Sequence, residues 1–257
     1  MDAKRVAVIT GAGQGIGRRT AEVLAGRGYA LALNDIRPFK GPAGAEAIEI
    51  LGDVSSESDV ARIAQAVEQH YGNVDLLVNN AGISFIRPAE ETGAEEWRRV
   101  LEVNLTGPFL MCRAFGKMML VRGSGAIVNV ASVAGLAGIG DRAAYNASKH
   151  GLIGLTRTLA SEWGGRGVRT NAVCPGWVKT EMDEADQAGG FYTDADIENR
   201  VPMGRFARPN EIAEAIAFLA DPALSGFVNG MELRVDGGWL ADGSWDRLRI
   251  DHRRASQ

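Results

Sequence analysis

Tyr145 and Lys149 stand four positions apart, so a helix running through them would stack a phenol and an ammonium on one face. A phenol titrates near ~10 and moves protons poorly at neutral pH, but a cation a few ångströms away favours the phenolate. Such a pair can work as a general acid or base. The spacing alone is weak, since many surface helices carry it as a solvated face. Its meaning depends on what the rest of the chain brings to it.

A second chemical signal lies near the start. Val6 to Thr10 is a short apolar, β-branched run that reads as a buried strand, and it passes into Gly11-Ala12-Gly13-Gln14-Gly15-Ile16-Gly17. A glycine-rich turn between a strand and a helix lets backbone N–H groups and the helix N-terminus close on a pyrophosphate. The helix is expected from about Gly15 to Gly28. The next strand, Tyr29 to Leu33, ends at Asn34-Asp35. An acid at that point can hydrogen-bond the adenosine ribose hydroxyls and repel a 2′-phosphate, which favours NAD over NADP. Arg37 is the counter-signal, because a nearby arginine can accept that phosphate.

These elements sit in a chain of 257 residues with 46% hydrophobic and 23% charged residues, the composition of an ordinary globular protein. A formal net charge of -4 gives no basic footprint for nucleic acid. No stretch approaches the ~20 apolar residues of a membrane span, and Met1 to Arg5 runs into the first strand without a signal-peptide pattern. The expected location is the cytoplasm, with neither membrane nor nucleic acid as partner. Cys112 and Cys174 each lie in an apolar segment and read as reduced, buried thiols. His70, His150 and His252 share no metal-ligand spacing, so no metal is expected.

Along the chain, strand and helix alternate. Residues 38–47 are rich in Pro and Gly and leave room for little helix. A strand Ala47 to Leu51 leads through Gly52-Asp53-Val54 to a helix Glu57 to Tyr71 with Ser55 or Ser56 as N-cap. Another strand, Val74 to Val78, ends in Asn79-Asn80-Ala81-Gly82. A long helical tract from Ala94 to Val121 carries Asn104 in its apolar middle, where an amide needs a partner or a purpose, and Pro108 predicts a bend there. After the strand Ala126 to Val130, the helix bearing Tyr145 and Lys149 runs to Trp163, and Gly167 to Cys174 forms the next strand before Pro175-Gly176. Residues 177–208 lose periodicity and read as a substrate loop or lid. A helix from Pro209 to Ala220 and a strand from Gly230 to Val235 complete the pattern. Strands too apolar to face water, alternating with helices, argue for an α/β fold with a doubly wound parallel sheet. With no repeat and no linker, residues 1–257 read as a single domain.

With those pieces in order, the sequence resembles a classical short-chain dehydrogenase/reductase. The resemblance is carried by Thr10-Gly-x-x-x-Gly-x-Gly17, Asn79-Asn80-Ala81-Gly82, Asn104, Ser132, Tyr145-x-x-x-Lys149, Pro175-Gly176 and Asp236-Gly237-Gly238. It implies a Rossmann-type domain with seven parallel strands, an NAD cofactor, a homotetramer and a tetrad of Asn104, Ser132, Tyr145 and Lys149. In such a tetrad Tyr145 exchanges the proton and Ser132 binds the reacting oxygen. Lys149 lowers the Tyr145 pKa and holds the nicotinamide ribose, while Asn104 holds a water. Gly11, Gln14, Gly15, Ile16 and Gly17 would surround the pyrophosphate, Asp35 the adenosine ribose, and Asp53 and Val54 the adenine. Asn80, with Ala81 and Gly82, would meet the cofactor ribose. Val178 and Thr180, after Pro175 and Gly176, would meet the carboxamide.

Two departures from that pattern stand out. The connection from Asp35 to Asp53 is short, which predicts a helix reduced to a turn or so. The chain also continues past Gly238 as an extension of about 241–257, where Trp245, Leu248 and Ile250 among Asp246, Arg247, Arg249, Arg253 and Arg254 could pack across a neighbouring subunit or fray.

The activity expected is NAD-dependent interconversion of a secondary alcohol and a ketone on a small molecule, with a sugar or polyol favoured. Asp141, Arg142, Glu181, Asp183 and Glu184 supply polar groups around the expected pocket mouth, and the loops at Phe85, Leu136 and Phe191 its shape. The competing readings are a 3-oxoacyl-thioester or hydroxysteroid reductase, and a dinucleotide-binding regulator without turnover.

Overall fold

The computed structural model describes residues 4–255. Met1 to Ala3, the side chains of Arg253 and Arg254, and the last two residues lie outside what it describes. Seven parallel strands, β1 (Val6–Thr10), β2 (Ala30–Asp35), β3 (Ala47–Leu51), β4 (Leu76–Asn79), β5 (Gly125–Val130), β6 (Val168–Pro175) and β7 (Glu232–Val235), form one sheet in the order β3-β2-β1-β4-β5-β6-β7. Helices cover both faces, as the α/β reading expects.

The covering follows from the period of two along each strand. Ala7, Ile9, Leu31 and Leu33 point to one face, where they meet Ala21 and Leu24 of α1 (Gly15–Gly26) and Ile212 and Ile216 of α8 (Pro209–Ala220). Val8, Ala32, Leu77 and Ile127 point to the other. There they pack on Val60, Ile63 and Val67 of α2 (Glu57–Tyr71) and Met111, Phe115 and Met119 of α4 (Gly107–Arg122). These residues are fully or almost fully buried, and each large side chain contributes about 1.5–3 kcal/mol by leaving water.

Strand order reverses between β1 and β4, and a crevice opens at that switch point beyond the carboxyl ends of the strands. Thr10 ties its two lips together. Its hydroxyl accepts from the backbone N–H groups of Asn80 and Ala81, both at 3.0 Å. The Asn80 side-chain amide donates to the Thr10 and Gly11 carbonyls, both at 3.0 Å.

Three segments differ from expectation. Residues 36–46 hold no helix at all, because Pro38, Gly41, Pro42 and Gly44 leave no run long enough to nucleate one. The tract expected to bend near Asn104 splits into α3 (Ala94–Leu101), a π-helical turn (Glu102–Thr106) and α4. The Gly107 N–H reaches back to the Glu102 carbonyl, one residue further than in an α-helix. Pro108 has no N–H to offer the Asn104 carbonyl in α register, so the wider turn costs little there. Finally, residues 177–208 are not an irregular loop. They contain α6 (Glu181–Ala188), N-capped by Thr180, and α7 (Asp194–Arg200), N-capped by Thr193 with Asp196 reciprocating.

The remaining elements are α5 (Ala143–Trp163), the short α9 (Pro222–Ser225) and α10 (Ile250–Ala255). The extension folds back on its own chain. Arg200 of α7 pairs with Asp242 at 2.8 Å, and the Asp251 N–H donates to Asn199 Oδ1 at 3.2 Å. Trp245 stays 70% exposed.

Candidate active site

A cleft of about 500 Å³ runs along the carboxyl edge of the sheet, from Asp35 and Asp53 at one end to Tyr145 and Trp177 at the other. Of the expected site residues, Gly11, Gln14, Gly15, Ile16, Asp35, Asp53, Val54, Asn80, Ala81, Gly82, Ser132, Tyr145, Lys149, Pro175, Gly176, Val178 and Thr180 all line it. Gly17 and Asn104 do not. Both sit behind its wall, where they act by packing and hydrogen bonding.

The glycine-rich turn fits an anionic ligand. Gly11 and Gly15 have φ of 61° and 54°, the left-handed region that side chains avoid. A Cβ on Gly17 would lie 2.1 Å from the Gly11 carbonyl oxygen, so only glycine lets α1 approach the turn this closely. Gln14 caps α1 without a side-chain hydrogen bond, and the first turn of the helix has no acid. By contrast, α2 has Ser56 accepting from Asp59 N and carries Glu57 and Asp59 in its first turn. The N–H groups and positive dipole end of α1 are thus left for a phosphate.

At the far end of the turn, Asp35 Oδ2 accepts from Gly13 N at 3.0 Å and Oδ1 from Arg37 N at 3.2 Å. The carboxylate is therefore held at the mouth, and a Cβ on Gly13 would crowd it at 2.9 Å. Asp53 is tied more tightly. Its Oδ1 accepts from the Ser55 N–H and hydroxyl at 2.9 and 2.6 Å, and its Oδ2 from Arg99 at 2.8 Å. Burial pushes its pKa up, but the Ser55 hydrogen bonds and the Arg99 guanidinium outweigh that and hold it below the ordinary value. Arg99 also lines the cleft. Sequence reading missed it, because one arginine on a helix exposing several charges carries no distinguishing signal.

Tyr145, Ser132 and Lys149 converge near the other end. Lys149 is 4% exposed; its ammonium donates to the Val130 carbonyl at 2.8 Å and lies 5.5 Å from the Tyr145 ring centroid. Burial lowers its pKa to about 8. The expectation that Lys149 dominates the phenol's acidity does not hold in this geometry. Burial raises the Tyr145 pKa, and the groups that oppose it are the Ser132 hydroxyl and the Arg142 guanidinium. Ser132, 8% exposed, also accepts from Ala134 N at 3.1 Å, which aims its hydroxyl.

Asn104 sits in the π-helical turn with no solvent exposure. Its Oδ1 accepts from Ile83 N and its Nδ2 donates to the Ile83 carbonyl, both at 2.9 Å. Nδ2 also reaches Ser148 Oγ at 3.2 Å, and that hydroxyl donates to the Tyr145 carbonyl at 2.7 Å. The side chain thus clamps the Ile83 loop to the Tyr145 helix.

The pocket mouth is built differently from the sequence reading. Arg142, Glu181 and Asp183 line the cleft as expected, whereas Asp141 and Glu184 do not. Phe85, Leu136 and Phe191 also stay out of the wall; Ile139, Trp177, Met182, Asp186 and Tyr192 form it instead. Trp177 and Tyr192 meet edge to face at 5.3 Å, and the Tyr192 hydroxyl donates to Asp183 at 2.8 Å.

Comparison with known proteins agrees with this geometry. A family model described as enoyl-(acyl carrier protein) reductase matches residues 11–240. The chain is 42% identical over 247 residues to D-threitol dehydrogenase of Mycolicibacterium smegmatis, covering 91% of this chain and 92% of the relative. It is 42% identical over 250 residues to cis-4-hydroxycyclohexanecarboxylate dehydrogenase of Sinomonas cyclohexanicum, covering 93% and 98%. A solved gluconate 5-dehydrogenase from Burkholderia cenocepacia, in complex with NADP and tartrate, superposes with a TM-score of 0.86 at 34% identity, covering 93% of this chain and 96% of that one. With most of its length matched in sequence and in fold, the chain belongs to the classical short-chain dehydrogenase/reductase family.

Proposed function

We propose that the protein is an NAD-dependent oxidoreductase of one domain that interconverts a secondary alcohol and its ketone, with a sugar or polyol as substrate. The observation that carries this is the convergence of Tyr145, Ser132 and Lys149 on a cleft whose other end is a glycine turn ready for a phosphate. A nicotinamide dinucleotide lying there supplies or accepts the hydride. The protein's own task is to move one proton and hold one oxygen.

In this reading Tyr145 takes the proton from the substrate hydroxyl in oxidation and returns it in reduction. Ser132 hydrogen-bonds the same oxygen. Lys149, fixed by the Val130 carbonyl, holds the cofactor ribose and stabilises the phenolate while charged. The Asn104 side chain is committed to Ile83 and Ser148, so the water of a proton relay falls to its carbonyl, which Pro108 cannot engage. The Asn80 amide donors are likewise spent on Thr10 and Gly11, leaving its Oδ1 for the ribose. Threitol dehydrogenase among the relatives supports the polyol class.

The preference for NAD rests on Asp35, whose carboxylate would face a 2′-phosphate. The NADP in the gluconate dehydrogenase structure makes this the point most in need of measurement. Replacing Asp35 with Asn keeps an acceptor for Gly13 N and removes the charge. We expect kcat/KM for NADP relative to NAD to rise by about tenfold or more, since relieving ~1.4 kcal/mol of repulsion suffices. A wild-type enzyme already faster with NADP would overturn the assignment.

The whole reading is tested by incubating the protein with NAD and panels of polyols, sugars, hydroxyacyl esters and hydroxysteroids while following reduced nicotinamide. Turnover of none of them, beside tight NAD binding, would favour a non-catalytic regulator. No helix among the described residues is long and apolar enough to cross a membrane, and we read the protein as cytoplasmic. We also read it as a homotetramer. Phe109, Val121 and Met231, 45%, 92% and 42% exposed, supply apolar surface for contacts between copies, and sedimentation equilibrium at the mass of a monomer would refute that.

A further inference from the structure

Arg142 is the N-cap residue of α5 and is 8% exposed. A buried cation at the positive end of a helix is doubly unfavourable, yet it stands three residues before Tyr145 and in the same cleft wall. What makes it tenable is its partners. One guanidinium nitrogen donates to Asp186 Oδ2 of α6 at 2.8 Å and another to Ser84 Oγ at 2.7 Å, while the group lies 5.7 Å from the Trp177 ring. Asp186 is itself mostly buried, its side chain 15% exposed.

The neighbouring cation is matched in the same way. Lys179 meets Asp183 at 3.1 Å and Asp194 at 2.6 Å. At this end of the cleft, among the described residues, every cation in reach of a substrate beside Tyr145 already has a carboxylate, and Glu181 adds another negative charge to the lining. A substrate carboxylate entering here would meet Asp186 and Asp183 before any uncompensated positive charge. A neutral diol would meet something better suited to it. Each hydroxyl both donates and accepts, and Arg142 and Asp186 offer donors and acceptors side by side.

We propose that the Arg142–Asp186 pair is the specificity element of this active site, reading vicinal hydroxyls of a neutral polyol, with Asp186 acting as a built-in counter-ion that excludes hydroxy acids. This deepens the oxidoreductase reading and rests on it. It gives a physical basis for choosing between two substrate classes that occur among the relatives, the polyol threitol and a cyclohexane carboxylate. The pair also bears on Tyr145. The Arg142 charge lowers the phenol's pKa and the Asp186 charge raises it, so a substrate that drew Arg142 away from Asp186 would disturb the proton-transfer group as well.

The test uses the full-length protein and whichever nicotinamide cofactor it turns over. Initial rates are measured for threitol and galactitol, and for gluconate, tartrate and cis-4-hydroxycyclohexanecarboxylate, with the wild type, Asp186→Asn and Arg142→Gln. The wild type should favour the polyols in kcat/KM. Asp186→Asn, of equal size, should raise the hydroxy-acid to polyol ratio by tenfold or more, as Arg142 becomes free to bind a carboxylate. Arg142→Gln should weaken polyol turnover without gaining hydroxy acids, an outcome that general damage to the fold would not reproduce in the ratio.

A wild type that prefers hydroxy acids overturns the proposal even if neither variant folds. So does an Asp186→Asn enzyme that turns over polyols with an unchanged ratio. Absence of turnover with either class by the wild type is a separate result, and it removes the oxidoreductase reading on which this one rests.

Discussion

Replacing Tyr145 with Phe is expected to lower kcat by about 10²–10⁴-fold, the range for loss of a positioned general acid or base, while NAD affinity stays within a few-fold. The phenol faces the cleft with Ser132 beside it, and its ring lies against the Lys149 ammonium. Phe keeps the ring and its packing and deletes only the proton-bearing oxygen. Because burial raises the Tyr145 pKa, the group is a neutral phenol at pH 7, and its removal exposes no stranded charge. The cost to stability is one hydrogen bond, about 1 kcal/mol. Single-turnover rates and cofactor titration by fluorescence separate the two effects, and unchanged turnover would remove Tyr145 from the chemistry. Groups that act as a unit are not additive. Adding Ser132→Ala to the Phe variant should therefore cost much less than Ser132→Ala alone.

Lys149→Met should combine loss of activity with a more stable fold. The rate is expected to fall by about 10²–10³-fold, as when one preorganised electrostatic contact is removed from a site. Stability moves the other way because the Lys149 pKa is depressed by burial, from 10.5 to about 8. Below pH 8 both the folded and unfolded chains carry the charge, and the folded state bears the full cost of burying it. Between pH 8 and 10.5 the folded chain sheds the proton first, so wild-type stability climbs with pH; above that range the difference is gone. The shift corresponds to ~3 kcal/mol, partly offset by about 1–3 kcal/mol for the Val130 carbonyl that loses its donor. Measured without added cofactor, Lys149→Met should therefore melt at or above the wild type near pH 7. Its advantage should shrink steadily from pH 8 towards 10.5, and an advantage that grows with pH would contradict a buried, charged Lys149.

The parts of this molecule legible in the sequence are those where one residue type admits one physical role. Gly11 and Gly15 announce left-handed backbone, and the apolar runs of β1, β2, β5 and β6 announce strands covered on both sides. Ser56 before Glu57 announces a helix start, and α2 begins there. What was hidden depends on distance rather than type. The helices α6 and α7 are eight and seven residues long and acidic, too short and polar to show an apolar stripe, although Thr180 and Thr193 with acids three positions on were readable caps. Arg142 was noticed as a polar group at the mouth, but Asp186, its partner in α6, comes 44 positions later. Nothing local marks two loops that meet only because β5 and β6 are neighbours. Gly17 was assigned to the phosphate when its work is to let α1 lie against the turn, a difference that a motif cannot reveal because both roles demand glycine.

The π-helical turn at Asn104 also sets a phase. A straight α-helix advances about 100° per residue, so one residue more in the turn rotates everything after it by that amount relative to everything before. Without the extra residue, the face of α3 that meets α5 and the face of α4 that buries Met111, Phe115 and Met119 against the sheet could not both point inward. The tract from Ala94 to Arg122 is thus two amphipathic helices written end to end in different registers, with the clamp on Ile83 and Ser148 located at the seam. Removing any single residue from 102–106 would leave the composition almost unchanged and the helix more regular, yet it would turn one half of the tract out of the core.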